Sequence, residues 1–132
     1  MLLFDTGFIV DYFRGKSYTK DFLDKNSDQV FATSAITIYE LYNGALKSDN
    51  PKSNTELVEE SLDWLNNLDF DSSTARKAAE IQNQLRKEGS EINKMDYFIA
   101  ATAVQNNAEV VSTDRDFGRL KGLEVRNPKK SD

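Results

Sequence analysis

Histidine and cysteine are both absent from this chain of 132 residues. Without cysteine the protein has no disulfide framework, no thiolate metal site and no thiol nucleophile. Without histidine, serine and cysteine triads, histidine-based acid–base ribonucleases and imidazole-ligated zinc sites are excluded, because each needs a group that titrates or coordinates near neutral pH. An enzyme of this composition therefore depends on carboxylates, acting alone or through a hard metal ion.

Long apolar runs and structure-breaking residues are also scarce. No apolar run approaches the roughly 18 residues that span a bilayer, and Asp5 interrupts the start, where a signal peptide needs an unbroken apolar stretch. With two prolines and six glycines, disorder is expected only in the tail, over residues 127–132. We therefore expect a cytoplasmic protein with one domain over residues 1–132, a common size for a single domain.

Positive charge is in short supply, since 17 basic residues face 22 acidic ones and the formal net charge is −5. This balance gives no support for nucleic-acid binding, which normally relies on lysine and arginine. Between Asp49 and Asp71, however, seven acids accompany one base, so this segment carries −6 and the rest of the chain sums to +1. A nearly balanced remainder is compatible with contacts to phosphate.

Short apolar runs alternate with amphipathic stretches along the whole chain. The apolar runs predict strands at residues 2–4, 29–32, 68–70, 110–111 and 123–125. Helical spacing predicts helices at residues 8–13, 18–25, 34–46, 54–66, 71–88 and 94–106, and a single turn at 116–120. This alternation predicts an α/β sandwich around a parallel sheet. Asp5 and Asp114 each follow a strand, so both are expected at the carboxyl edge of the sheet, where ligands gather.

Three carboxylates in apolar surroundings are the first candidates for chemistry. Asp5 ends an apolar strand, Glu40 lies in an otherwise apolar helix face, and Asp96 opens the least polar helix. A carboxylate among apolar residues costs several kcal/mol unless it is paired or bound to a metal. Each also has an ordinary explanation. Asp5 can cap the end of its strand, Asp96 can interact with the helix macrodipole, and Glu40 can pair with Arg14 or Lys47.

Four sequence motifs resemble those of PIN domains, in the same order. An Asp-Thr pair follows the first strand in residues 4–13, and residues 34–44 contain a serine, a Glu-Leu pair and a glycine four residues after the glutamate. Residues 96–103 and 110–117 resemble the third and fourth motifs. The chain is therefore similar to PIN-domain ribonucleases, of the kind that serve as VapC-like toxins of type II toxin–antitoxin systems. Gly7 departs from the family, which often has Asn or Ser there.

The resemblance implies a three-layer α/β/α sandwich around a short, mainly parallel sheet, with acids that converge on one or two Mg²⁺ or Mn²⁺ ions. It implies catalytic roles for Asp5, Glu40 and Asp96, with Asp114 or Asp116 as the fourth acid. The metal ligands it implies are Asp5, Asp96 and Asp114. Thr6 and Thr113 match small hydroxyl residues that orient a carboxylate or a water, although turn capping explains them equally well.

The substrate and partners implied by the resemblance are RNA, a cognate antitoxin protein and a second copy of the chain. A bound metal would activate water for hydrolysis of the RNA phosphodiester. Lys94 and Arg115 are candidate phosphate contacts because they adjoin acidic motifs, and Tyr12 or Tyr42 can stack on a base. Antitoxin and dimer contacts are expected on the apolar residues of the helices at 36–46 and 54–65. No membrane contact is expected.

Three other functions compete with the toxin ribonuclease. A PIN nuclease can act outside a toxin–antitoxin pair, in RNA processing or on DNA flaps, although such relatives commonly carry insertions or further domains. A PIN module can also bind protein without catalysis, but the presence of all four acids disfavours it. A carboxylate-rich phosphatase or phosphotransfer domain would need a nucleophilic aspartate with an adjacent lysine base, and the sequence has no recognisable arrangement of that kind.

Overall fold

A parallel sheet runs through the middle of the molecule, of which the computed structural model describes residues 1–130. Within these residues the sheet has five strands in the order β3-β2-β1-β4-β5, and every neighbouring pair is parallel. The strands are β1 (Leu2–Phe4), β2 (Phe31–Ser34), β3 (Asn66–Leu68), β4 (Glu109–Val111) and β5 (Val125–Arg126). The predicted sheet is therefore confirmed.

Helices cover both faces of this sheet. Residues 1–130 form α1 (Thr6–Phe13), α2 (Ser17–Lys25), α3 (Ala35–Lys47), α4 (Pro51–Leu62), α5 (Ser72–Lys87), α6 (Lys94–Gln105) and a 3-10 helix (Arg115–Arg119). One apolar cluster joins the sheet to α1, α2, α3 and α4, and a second joins it to α5 and α6. The three-layer α/β/α sandwich is confirmed. No helix of the described chain is both long and apolar enough to cross a membrane.

β1 is the middle strand of the sheet, so the first motif, which follows it, lies at the centre of the fold. Leu3 pairs with Val110 and Phe4 pairs with Val111, while β2 lies on the other side. Successive strand residues point to opposite faces, so Phe4 packs in one apolar cluster and Leu3 in the other. Asp5 continues the ladder by donating its backbone N–H to Val111 over 3.2 Å. β1 and β4 therefore end together.

Several predicted boundaries were wrong by two to four residues. Strand β2 lies at 31–34 instead of 29–32, β3 at 66–68 instead of 68–70, and β5 at 125–126 instead of 123–125. Ala32 pairs with Asn66, so the register between the two strands sets where β2 and β3 lie. The prediction from apolar runs missed these bounds because a polar residue such as Asn66 also pairs in the sheet. Helix α4 begins at Pro51 because proline suits the first turn, where no backbone N–H is needed. It ends at Leu62 rather than near residue 66.

The chain after β5 is more ordered than the sequence suggested. Pro128 is buried, Asn127 accepts the backbone N–H groups of Lys129 and Lys130, and the Lys129 ammonium lies 4.9 Å from the centre of the Tyr18 ring. The prediction of a frayed tail is therefore wrong for residues 127–130. Residues 131 and 132, which it also covered, lie outside the described residues.

Phe4→Ala is expected to lower the free energy of unfolding by about 3–5 kcal/mol, because it empties the centre of one cluster. Phe4 is fully buried and stacks on Phe8 with ring centres 4.4 Å apart. Urea denaturation of the metal-free protein measures the change. Val30→Ala is the control, because Val30 is 51% exposed and its loss should cost less than about 0.5 kcal/mol. Equal costs for the two variants would contradict this assignment of the core.

Candidate active site

Asp5 is the most buried acid of the predicted set, with 8% of its surface exposed. Its carboxylate caps α1 by accepting the backbone N–H of Phe8 over 2.9 Å, and it also accepts the hydroxyl of Ser112. Burial raises the pKa of Asp5 from 3.8 to about 6, against the lowering effect of these two hydrogen bonds. The sequence offers a strand-end cap as the ordinary explanation of Asp5; the structure shows a helix cap instead, and a cap alone does not require so deep a position.

Ser112 connects two of the acidic motifs. It follows β4 directly, donates its hydroxyl to Asp5, and accepts the backbone N–H of Asp114 over 2.9 Å. One buried serine therefore fixes both the Asp5 carboxylate and the start of the fourth motif. The sequence offers Thr113, and not Ser112, as a hydroxyl that orients a carboxylate or a water or caps a turn, but the Thr113 side chain is exposed and makes no hydrogen bond within residues 1–130. Only the pairing of β4 with β1 shows that residue 112 is the one that faces Asp5.

A chain of hydroxyl groups orients Glu40. Thr6 donates to the Glu40 carboxylate over 2.6 Å and lies 3.1 Å from the hydroxyl of Thr37, which in turn lies 3.2 Å from that of Ser34. A carboxylate only accepts, so the single proton of Thr6 is committed to Glu40, and the proton of Thr37 must point toward Thr6. The prediction that Thr6 orients a carboxylate agrees with this contact. Within residues 1–130, Glu40 forms no ion pair with Arg14 or Lys47, the alternative partners that the sequence offers.

Asp96 lies in the first turn of α6, which Asn93 caps, and it is only partly buried. Its side chain has neither a hydrogen bond nor an ion pair within the described chain. Burial, and then the charges of Asp114, Asp5, Glu40 and Asp116, together raise the pKa of Asp96 from 3.8 to about 7. The helix macrodipole favours an acid here, as the simpler explanation requires, but it does not explain why four more acids face it.

Asp114 and Asp116 differ in their surroundings. Asp114 caps the 3-10 helix by accepting the backbone N–H of Asp116 over 2.9 Å, and its charge raises the pKa of both Asp5 and Asp96. Asp116 forms an ion pair with Arg119 at 3.2 Å. Among the acids that raise the pKa of Asp96, Asp116 has the smallest effect. Asp114 therefore interacts more closely with Asp5 and Asp96. These three residues and Glu40 are called the acid group below.

The predicted RNA contacts lie at the edge of this acid group. Lys94 begins α6 two residues before Asp96, and Arg115 begins the 3-10 helix; both are exposed and unpaired within residues 1–130. The two tyrosines that are candidates for stacking on a base already pack against other side chains. Tyr12 packs against Trp64, with ring centres 5.4 Å apart, and Tyr42 packs against an apolar cluster. Their availability for stacking on a base is limited accordingly.

The donor chemistry of the site fits a hard divalent cation. All its potential ligands are carboxylate oxygens, which Mg²⁺ and Mn²⁺ prefer. Burial and the charges of neighbouring acids raise the pKa of both Asp5 and Asp96, as expected where a cation normally compensates the charge. Within residues 1–130, however, no three acids come close enough to enclose an ion. This open arrangement suits Mg²⁺, which keeps several waters and is commonly shared with a substrate phosphate.

Gly7 leaves room beside this site. A Cβ at this position would lie 3.7 and 3.8 Å from the two carboxylate oxygens of Asp5, which is ordinary contact. The asparagine or serine that the resembled family often has there would therefore fit and could reach Asp5. In this chain, Phe8 and Ser112 supply the hydrogen bonds to Asp5.

Comparison with known proteins agrees with the fold and the four motifs. The PIN domain family matches residues 2–123, so the protein is a PIN-domain protein. Ribonuclease VapC2 of Haemophilus influenzae is 37% identical over 95 residues, which cover 71% of this chain and 72% of that protein. The tRNA(fMet)-specific endonuclease VapC of Salmonella typhimurium is 33% identical, with the same coverage. The chain belongs to the VapC ribonuclease family.

A solved structure supports the same relationship. The DNA-bound VapBC complex of Salmonella typhimurium contains a chain that superposes with a TM-score of 0.87 and is 27% identical, over 96% of this chain and 97% of that one. The suspected relationship to VapC-like toxins of the PIN family is therefore confirmed. Membership of a ribonuclease family also disfavours the flap nuclease and the phosphotransfer domain.

Proposed function

We propose that this protein hydrolyses RNA as the toxin of a toxin–antitoxin pair, with a divalent metal that Asp5, Asp96 and Asp114 would share with water and the substrate phosphate. The observation that carries the proposal is Asp96, a partly buried carboxylate with no hydrogen-bond partner in the described chain and with other acids around it. A partly buried acid with only a structural role would be expected to have a hydrogen-bond or ion-pair partner. Its surroundings are suited to a cation.

Each acid has a separate task in this proposal. Asp5 is held by Phe8 and Ser112 and presents a fixed oxygen, while Asp96 and Asp114 complete the negatively charged surface. Glu40, oriented by Thr6, accepts a hydrogen bond or a proton from the attacking water. Mg²⁺ or Mn²⁺, when bound by these acids, would supply an activated water and neutralise charge on the phosphate. We assign the fourth position to Asp114 because Asp116 is engaged by Arg119.

The substrate is RNA, and Lys94 and Arg115 are the phosphate contacts that we assign beside the acids. Their exposure and lack of partners among the described residues leave both free to reach a strand. The Salmonella relative is named for tRNA(fMet), so tRNA is the first substrate to test. The reaction belongs in the cytoplasm, and residues 1–132 act as one domain.

An antitoxin occupies the groove between α1, α3 and α4. This groove has a volume of about 400 Å³, and its lining is mainly apolar, from Val10, Phe13, Leu41, Leu57 and Val58. Glu40 also lines it, so a peptide bound in the groove reaches the acid group directly. Arg14 and Asn54 supply polar contacts at the wall. The related chain of Salmonella typhimurium was solved in a VapBC complex, which supports an antitoxin partner.

The outer face of α3 is the surface that we assign to the homodimer. Tyr39 and Leu46 are seven residues apart and therefore on one side of the helix, and they are 56% and 66% exposed. Large apolar side chains that are exposed together commonly mark a contact with another protein. This face is distinct from the antitoxin groove, so the two contacts can exist at once.

The function is tested by cleavage of purified tRNA and total RNA. With Mn²⁺ we expect discrete products, and with EDTA none, because the acids cannot activate water without the ion. Glu40→Gln is expected to slow cleavage about 10- to 100-fold, since amide nitrogen cannot accept a proton. Glu56→Gln, an exposed acid of α4, is the matched control and should cleave like the original protein. Cleavage that persists in EDTA would refute the metal-dependent mechanism.

A further inference from the structure

A second cavity, unrelated to the antitoxin groove, opens between α2 and the residues that follow β5. We call it the tail pocket. Its volume is about 580 Å³, within the range of ligand pockets, and its charged lining comprises Lys25, Arg126, Lys129, Lys130 and Asp21. Tyr18 forms part of its wall. None of the four sequence motifs contributes a residue to it.

The tail pocket concentrates positive charge in an acidic protein. It holds four of the 17 basic residues of a chain whose net charge is −5, against the single acid Asp21. Arg126 is neutralised by Glu109 through two hydrogen bonds of 2.9 and 3.0 Å. The remaining three lysines form no ion pair within residues 1–130. The lining therefore keeps a net positive charge, which attracts an anion.

The walls of the tail pocket are fixed by specific contacts. Arg126 donates to the side chain of Asn26, over 3.0 Å, and so ties β5 to the end of α2. Pro128 is buried, and the Lys129 ammonium lies over the face of the Tyr18 ring, 4.9 Å from its centre. These contacts hold the lysine-bearing segment against α2. The positive charge is therefore located on a defined surface and not on a free tail.

Two contacts connect the tail pocket to the acid group. The backbone of Phe8 donates to Asp5, and the Phe8 ring lies 6.1 Å from that of Tyr18, which lines the pocket. Burial and the hydrogen bond to Asp11 raise the pKa of Tyr18 above its ordinary value, and the charge of Asp5 adds to this rise. The tail pocket is thus beside the site, on the α2 side of α1, whereas the antitoxin groove is between α1, α3 and α4.

We propose that the tail pocket binds the phosphate backbone of the RNA substrate beyond the bond that is cut. The proposal rests on the proposed function, since it extends the same substrate from the acids to a second point of contact. Lysine ammonium groups bind phosphates as point charges without reading the base. The contact should therefore strengthen binding of long RNA in a sequence-independent way and should have no part in the chemical step.

Binding of RNA at several salt concentrations tests the pocket without any need for cleavage. Lys25→Gln with Lys129→Gln is expected to weaken binding of labelled tRNA about tenfold in low salt and to reduce the slope of log affinity against log salt by about 2. Fluorescence anisotropy measures both quantities. Lys52→Gln with Lys87→Gln is the matched control, because both lysines are exposed on other helices and lie outside the pocket. Equal slopes for the two double variants would overturn the proposal.

Cleavage kinetics separates the pocket from the acid site. The Lys25 and Lys129 double variant should show a raised KM for tRNA with kcat unchanged, and unchanged kinetics on an oligonucleotide too short to reach the pocket. A raised KM on both substrates would place the lysines at the acids and refute a separate contact. If the original protein cleaves nothing with Mn²⁺, the proposed function fails. The salt dependence of RNA binding still tests separately whether the tail pocket contacts RNA. If the Lys25 and Lys129 double variant lost binding to duplex DNA but kept its binding to RNA, the proposal of an RNA contact in the tail pocket would also be overturned.

Discussion

Asp96→Asn is expected to reduce RNA cleavage by about a hundredfold to a thousandfold or more. The carboxylate of Asp96 has no other partner in the described structure, so its charge is available for a metal ion. Asparagine keeps the size of the side chain but provides a neutral oxygen, which binds Mg²⁺ or Mn²⁺ weakly. Cleavage of tRNA at saturating Mn²⁺ gives the rate, and calorimetric titration with Mn²⁺ gives the loss of affinity.

The same substitution should not weaken the metal-free protein at pH 7.5. Burial and the surrounding acids disfavour the charged form of Asp96, so a neutral amide removes a repulsion and the melting temperature should stay constant or rise. Asp63→Asn is the control, because Asp63 is exposed at the end of α4 and carries the same chemical change. A variant that kept full cleavage, or that lost activity because it had unfolded, would remove Asp96 from the proposed site.

The melting temperature of the metal-free protein is expected to fall as the pH rises from 5 to 8. The folded-state pKa values of Asp5 and Asp96 are raised from 3.8 to about 6 and about 7. An acid with a raised pKa binds its proton more tightly when folded, so its stabilisation is complete below pH 3.8 and is lost as the pH passes 6 and 7. For Asp5 the whole loss, between pH 3.8 and about 6, is of order 2–3 kcal/mol, and Asp96, which is only partly buried, adds less.

Mn²⁺ should reverse this pH dependence. The ion binds the deprotonated acids, so its stabilising effect grows with pH, and we expect a rise of about 5–10 °C in melting temperature at pH 8. Scanning calorimetry with Mn²⁺ and with EDTA measures both curves. Asp11 and Asp71 have lowered pKa values and act in the opposite direction only at more acidic pH, so they do not disturb this window. A melting temperature indifferent to both pH and Mn²⁺ would show that the acids are not coupled as proposed.

The candidate site was largely visible in the sequence because three of its acids stand in apolar segments. Asp5, Glu40 and Asp96 are charged residues among apolar ones, which is unfavourable without a partner. The resemblance of the four motifs to PIN domains explains all three as parts of one metal site. The polar residues that hold these acids were harder to find. Thr37 and Ser112 are ordinary hydroxyl residues in the sequence, and nothing local distinguishes Ser112 from Thr113. Their roles depend on which side chain faces an acid that is distant along the chain.

The tail pocket is an example of a feature that no local pattern predicted. Lys25 and Lys129 are 104 positions apart in the sequence and belong to segments that look like ordinary solvated surface. They line one cavity because β5 pairs with β4 and directs the following residues back over α2. Proximity of this kind depends on the path of the whole chain.

The sequence alone determined the class of fold, the type of chemistry and most of the acids. Apolar periodicity is a local property, and the absence of histidine and cysteine limits chemistry whatever the fold. The tertiary structure decided the strand boundaries, the partners of each acid and the position of the positive charge. These depend on parallel pairing between distant segments, such as Phe4 with Val111, and a register shift of one residue would have turned Ser112 away from Asp5.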